Sequence, residues 1–353
     1  PTDAELKERS AGGHGFTRPE LATLLAYAKN TVSAELVGSR ALEDVYLGRE
    51  LFRYFPDKLV EAFRETISSH RLRREVIATV LANAMINRGG PAFVHEITEA
   101  TSADVGQVAA AYAAARDAFG LTDLNSALDA LDTLVPGDTQ NRLYAEVETL
   151  LTRATLWLLR NESFDDGLQP LVERYRRGID QIRAALPGLV PPDLLASIEA
   201  RAAAFEAGGA PREISRAIAE LSALSLGCDI VLVAGRAGTS TNETAEALFG
   251  VMARFGLGRI IEAGNGIVLA DRFDRMALDR ALANLMRALR DLTADVLAAG
   301  DADTAARLTA WHGARPEAID RAVGAVADLT EGDITVSRLT VAAGLLSDLA
   351  RSA

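Results

Sequence analysis

Several short runs in this chain carry residue types able to do chemistry, and their spacing decides which of them can. From Asp229 to Ser240 the run DIVLVAGRAGTS has the composition of a buried strand feeding a glycine-rich phosphate loop. Such a loop cradles phosphate with backbone N–H groups and, in its common form G-x-x-x-x-G-K-[ST], with a lysine. Neither that lysine nor G-x-G-x-x-G spacing is present, so the run predicts a helix capped by Asp229, followed by a turn. His95–Glu96 begins like a zinc helix, but the second histidine of H-E-x-x-H would fall at Glu99. His14, His70 and His312 have no Cys or His at ligand spacing, which leaves surface or capping roles for all four histidines. Asp165–Asp166 stands alone beside Gly167, the pattern of a loop and helix cap. No Ser/His/Asp or Cys/His constellation emerges. Lysine occurs only at Lys7, Lys29 and Lys58, so no Schiff-base, phosphate-loop or general-base lysine can lie beyond position 58.

The polar residues with the most informative placement lie in HRLRREVIATVLANAMINRGGPAFV, His70 to Val94. Leu72, Val76, Ile77, Val80, Leu81, Ala84 and Met85 recur at steps of three and four and draw an apolar stripe along a helix. Asn83 follows Val76 by seven residues and Asn87 follows Val80 by seven, so both amides are expected on the apolar face. There they would be buried and hydrogen-bonded to neighbouring helix ends or loops. Arg71, Arg73 and Arg74, with Arg53 and Arg64 before them, are interleaved with Glu61, Glu65 and Glu75, the composition of a solvated, salt-bridged helix face, with a docking surface for an acidic partner domain as the alternative. Together with Arg88, the residues Asn83, Asn87, Arg71, Arg73 and Arg74 are the interface candidates; no catalytic, cofactor-binding or metal-binding residue is assigned.

The elements that position these residues read as helices throughout. Thr17, Pro19 and Glu20 make a capping box with a proline in the first turn of a helix bearing Leu21, Leu24, Leu25 and Ala28. Asp44 caps LGRELFRYF, and Pro56–Asp57 open KLVEAFRETI. Gly89–Gly90 stop the central helix and Pro91 begins the next. Thr101 or Ser102 caps a helix ending at Phe119–Gly120, and a long helix covers about 137–161. Further helices span 167–186, 191–207, 211–223, 242–255, 271–299, 301–312, 316–330 and 334–350. No alternating strand pattern stands among them, so the fold class is all-α. ATSADVGQVAAAYAAARDAFGL also resembles RAGTSTNETAEALFGVMARFGL, about 136 residues further on. An internal repeat of that kind would give two related helical halves, 16–165 and 166–353, after a linker over 1–15.

Composition limits the classes of function. With 353 residues, 49% hydrophobic and 24% charged, the chain has the make-up of a soluble globular protein. A net charge of −12 argues against nucleic acid or an anionic membrane as partner. The single cysteine, Cys228, excludes an internal disulfide and fits a reducing compartment, the cytoplasm. The most apolar run, Ala217 to Ala234, is interrupted by Glu220 and Asp229. Pro1 replaces an initiator methionine with no signal-peptide pattern behind it, the expectation for a piece of something longer.

Three motifs in order, GFTRPELATLLAYAKNTVSAEL, YLGRELFRYFPDKLVEAF and the His70–Val94 run, resemble the C-terminal region of the large NAD-dependent glutamate dehydrogenases of bacteria. The likeness is strongest over about 14–121, returns at RATLWLLRN (Arg153 to Asn161) and thins afterwards, while the helix order continues to fit. The resemblance implies a parent enzyme that oxidises L-glutamate with NAD and water to 2-oxoglutarate, ammonia and NADH. It places the catalytic lysines and aspartate and the dinucleotide glycines before Pro1, with no cofactor in this region. It implies as partners the upstream catalytic domain of the same chain and further copies in a homo-oligomer, whose assembly or regulation this region would support. The alternative is a free-standing helical scaffold or adaptor.

Overall fold

The computed structural model describes residues 2–265, 267, 272–300, 303–329 and 331–351. Among the described residues there are nineteen α-helices and no strand. The chain divides into two compact units, one of residues 1–124 and 144–173, the other of residues 125–143 and 174–353.

The first unit opens with α1 (Asp3–Ala11) and α2 (Arg18–Val37), each started by a capping box, Thr2 with Glu5 and Thr17 with Glu20. The segment expected as a linker over 1–15 is therefore helical in part. The short α3 (Glu50–Tyr54) and α4 (Asp57–Ser68) follow, then α5 (Arg73–Gly89), α6 (Phe93–Thr101) and α7 (Val105–Ala118). Helix α7 is the centre of this unit: Val108 and the alanines from Ala109 to Ala115 are buried on every side. Small side chains let neighbours approach closely, and at Gly106 an added Cβ would run into Ser39. The N-cap of α7 is Asp104, boxed with Gln107, rather than Thr101 or Ser102. Thr101 still belongs to α6, where its hydroxyl bonds Ile97 O, and Ser102 takes the left-handed backbone that ends α6.

Helix α8 (Leu121–Asp129) leads to α9 (Gly137–Asn161) and α10 (Leu168–Leu189), which continues through Pro187 for a last turn beyond the expected stop. The sequence predicts an apolar stripe of Leu143, Val147, Leu150, Leu151, Ala154, Trp157 and Leu158 on α9; all are buried at helical spacing except Trp157, which is half-buried. The second unit also contains α11 (Pro192–Ala207), α12 (Arg212–Leu224), α13 (Gly227–Ala237), α14 (Thr241–Phe255) and α15 (Leu257–Asn265). It ends with α16 (Arg272–Ala298), α17 (Thr304–Ala314), α18 (Pro316–Leu329) and α19 (Val336–Arg351). Here the main seam joins α16 to α19, with Leu285, Leu289 and Leu292 on the one and Leu339 and Leu346 on the other fully out of solvent. Each such leucine contributes about 1.5–3 kcal/mol.

Two sequence expectations meet their test in this unit. Asp229 to Ala234 is helical, inside α13, although its β-branched residues suit strands. Asp229 does not cap it; Leu226 holds the cap position, and buried Asp229 pairs with Arg290 of α16. The segments suspected of repeating share local geometry: Ser102 and Gly238 are left-handed, Asp104 and Ser240 are boxed N-caps with Gln107 and Glu243, and Gly120 and Gly256 are left-handed. One constant offset separates every pair. This is a likeness of local geometry, and an internal duplication is not established by it. No single helix among the described residues is long and apolar enough to cross a membrane; only the bent pair α12 and α13 passes by length and composition, and Ile218, Leu221, Leu224, Ile230 and Val233 within it are packed in the core. Of the lysines, Lys7 and Lys58 are exposed and Lys29 is half-buried.

Candidate functional site

A dense polar constellation lies at the foot of α7, a helix half of alanine that carries Arg116 and Asp117 in its last turn. Both are buried, as are Glu50 and Tyr46. Arg116 donates through Nε to Asp117 Oδ1 at 2.8 Å and through Nη2 to Glu50 Oε1 at 2.8 Å and Asp117 Oδ2 at 2.9 Å. The Tyr46 hydroxyl donates to Asp117 Oδ2 at 2.8 Å. Arg53 donates to Glu50 Oε1 at 2.9 Å and lies 3.6 Å from Asp117. Two carboxylates thus meet two guanidinium groups and a phenol, and each buried charge is paired.

The electrostatics follow from that pairing. Burial pushes the Asp117 carboxyl up, but hydrogen bonds and charge from Arg116, then Tyr46 and Arg53, outweigh it and hold the group below its usual value. Burial opposes the Arg116 charge, and Asp117 and Glu50 more than restore it. The Tyr46 hydroxyl is pushed up to about 12, first by burial and then by the Asp117 charge. Tyr112, on the same helix, is pushed up to about 12 by burial. At neutral pH the Asp117 carboxyl is ionised and the Tyr46 and Tyr112 phenols keep their protons. Chemically this is a clamp rather than an acid–base site.

The sequence-predicted residues lie elsewhere. The buried face of α5 is Ile77, Ala78, Leu81, Ala82, Met85, Ile86 and Gly89, whereas Val76 and Val80 are half-buried at its edge. Asn83 and Asn87 continue that edge, so Asn83 is half-buried and Asn87 is exposed. The expectation of two buried amides is therefore wrong: the stripe is centred about one residue further round the helix than its Val76–Val80 flank suggests. Arg88 is half-buried, with its guanidinium 5.8 Å from the centre of the Tyr144 ring. The arginine cluster disperses. Arg71 is exposed, Arg73 is half-buried beside Gly48, and Arg64 stacks on Phe52 at 4.1 Å. Arg74 bonds Val37 O at 3.0 Å and Ser39 O at 2.9 Å and pairs with Glu43. It therefore closes the C-terminal end of α2, where a cation also suits the helix dipole. The ion pairs of this set run to Glu43, Glu50 and Asp117, not to the interleaved Glu61, Glu65 and Glu75.

Asp44 does not hold the cap position expected of it: LGRELFRYF is a 3-10 turn preceded by Tyr46 and then α3 preceded by Arg49. Asp44 accepts from Tyr46 N at 2.7 Å and from Leu168 N, at the start of α10, at 3.1 Å. Asp165 and Asp166 are exposed in the loop before α10, with Asp165 bonded to Ser163. His95 is a surface residue 3.8 Å from Glu99, and His70 accepts from Leu72 N at 3.2 Å. No group of three metal-ligating side chains occurs among the described residues.

In the second unit, a shallow groove between α14 and α17 is lined by Gly250, Ala253, Arg254, Leu308, Thr309, Trp311 and His312. On its lip Arg254 Nη2 lies 2.8 Å from His312 Nε2 and 2.7 Å from Asp320 Oδ1. A hydrogen bond from His312, reinforced by Arg254, holds the Asp320 carboxyl low. Thr309 in the lining donates to Ala305 O at 2.9 Å. The glycine-rich run joins the end of α13 to the start of α14. Gly235 is inside α13, Gly238 ends it, and the start of α14 is closed by Ser240 and the acidic Glu243, an arrangement that opposes phosphate. The clamp at α7 escaped sequence reading, though two adjacent charges ending an alanine-rich apolar helix were its visible signal.

A buried charge clamp and capped helices belong to a large all-helical region. The family described as "Glutamate dehydrogenase, C-terminal" matches residues 13–348, and the chain belongs to that family. Among curated relatives, the NAD-specific glutamate dehydrogenase of Pseudomonas aeruginosa is 30% identical over 88% of this chain and 19% of its own length. That of Halomonas elongata is 29% identical over the same shares, and that of Mycobacterium tuberculosis is 27% identical over 100% of this chain and 22% of its own length. The chain thus spans about a fifth of the length of the curated relatives it matches. The match also extends well past the stretch, about 14–121, in which the motifs are plainest.

Proposed function

We propose that this chain is the helical C-terminal region of a longer NAD-dependent glutamate dehydrogenase and that it supports assembly or regulation rather than the chemical step. In that reading the parent enzyme, cytoplasmic and homo-oligomeric, converts L-glutamate, NAD and water to 2-oxoglutarate, ammonia and NADH. The observation that carries it is the family match over nearly the whole chain, combined with relatives so much longer that their catalytic parts have room elsewhere. The side chains are consistent with this: the charged cluster at the foot of α7 is locked in mutual pairs, and the glycine-rich run is helix, turn and helix.

The test compares the full-length enzyme with a version lacking the region from Phe16 onward, scoring NADH production and oligomer mass together. Loss of either supports the reading, and no change in both overturns it. NADH formed from glutamate by the isolated region would overturn its non-catalytic half. A native polypeptide with no dehydrogenase part would favour the scaffold alternative.

A further inference from the structure

Helix α4 is amphipathic, yet part of its apolar side is uncovered. Leu59, Val60, Phe63 and Ile67 recur at three- and four-residue steps and form one stripe. Only Ile67 is buried; Val60 is half-buried, Leu59 is 44% exposed and Phe63 56% exposed. Tyr54, at the end of α3, adds another aromatic at 58%. The helix is interrupted at Phe63, whose backbone leaves helical geometry at φ −133° and ψ 30°. A helix of 12 residues is marginal in water by propensity alone and draws its stability from packing of its apolar side. Here two of the four stripe residues, Leu59 and Phe63, are exposed.

Resting on the reading that the chain is part of a longer polypeptide, we infer that the Leu59–Phe63 stripe of α4 is a docking surface for another part of that same polypeptide, outside these 353 residues. Length supplies the occupant: the curated relatives match this chain over only 19–22% of their own residues, so most of such a protein is available to cover α4. The rim also favours a protein surface, since Asp57, Lys58, Glu61, Arg64 and Glu65 alternate in sign instead of presenting one charge. Size argues against a second copy. A stripe of three or four side chains falls well short of the roughly 1,200–2,000 Å² that a stable interface between separate molecules buries. Within one polypeptide the effective concentration is high, and a small contact suffices.

The experiment places the photo-reactive residue p-benzoylphenylalanine at Phe63 in the full-length protein and maps its cross-links by mass spectrometry. The expected product joins position 63 to a peptide of the same polypeptide outside residues 1–353 and runs at the mass of one chain. Adding Leu59→Glu beside the probe is expected to reduce that product several-fold. A product at the mass of two chains would assign the surface to a second copy and overturn the inference, as would the absence of any cross-link beyond this region. The two failures are separable. If removing the whole region leaves activity and mass unchanged, the functional reading fails; if removal matters but position 63 captures nothing from the same chain, only the assignment of α4 does.

Discussion

Arg116 and Arg307 are both buried arginines, and they differ in what their guanidinium groups touch. Arg116 is bonded to Glu50 and Asp117, whereas Nε and Nη1 of Arg307 have no hydrogen-bond partner. Arg307 acts on Glu243 only through charge, and that carboxyl is held low chiefly by Ser240. Removing one partner of a buried pair strands the others, so Arg116→Met is expected to cost about 3–5 kcal/mol in urea denaturation. Arg307→Met removes an incompletely satisfied donor set and is expected to be neutral or to stabilise by about 1 kcal/mol. Titration follows from the same contacts. Asp117 has a folded value below its usual 3.8, so its contribution is complete above that value and is lost as pH falls through the lower, folded one. Tyr46 has a folded value of about 12 against 10.0, so its contribution is complete below 10 and declines as pH rises towards 12. Asp117→Asn should flatten the acid limb of stability against pH, and Tyr46→Phe the alkaline limb.

Helix α5 shows how an element is stopped and how closely the next may approach. Gly90 has φ +86°, a backbone that side chains rarely adopt, while at Gly89 an added Cβ would run into the Phe93 ring of α6. Gly89→Ala and Gly90→Ala are each expected to cost about 1–3 kcal/mol, the first by displacing Phe93 and the second by backbone strain; thermal melts of the two variants check this. Signals of this local kind made most of the fold legible. TRPE, the Gly89–Gly90 stop and the Leu143–Leu158 periodicity each lie within a few residues of what they specify. Helix α1 was missed because its residues are mostly polar and exposed, leaving no apolar stripe to read. Helices α8 and α15 were missed because each is short and directly follows a glycine. At Asn83 and Asn87 the period was right but the centre of the stripe was not, because one sequence fixes spacing more tightly than rotation. The α7 clamp joins residues 66 and 71 positions apart, which no local pattern can reveal.

For the whole molecule, charge sets the solution behaviour. A net −12 and an isoelectric point near 5.0 keep molecules apart at neutral pH, and that repulsion vanishes as the carboxylates titrate. Light scattering on the 353-residue chain is expected to show association setting in as pH approaches 5 and receding above 6. The three lysines make the molecule unequal to one family of reagents. Within these 353 residues, a protease that cuts only after lysine can cut at Lys7, Lys29 and Lys58, and leaves residues 59–353 uncut. Lys58 stands in the first turn of α4, immediately before the uncovered stripe. The digestion pattern of the intact protein therefore doubles as a gauge of shelter: a scission at Lys58 that slows relative to the one at Lys7 marks α4 as covered, with no label or substitution introduced.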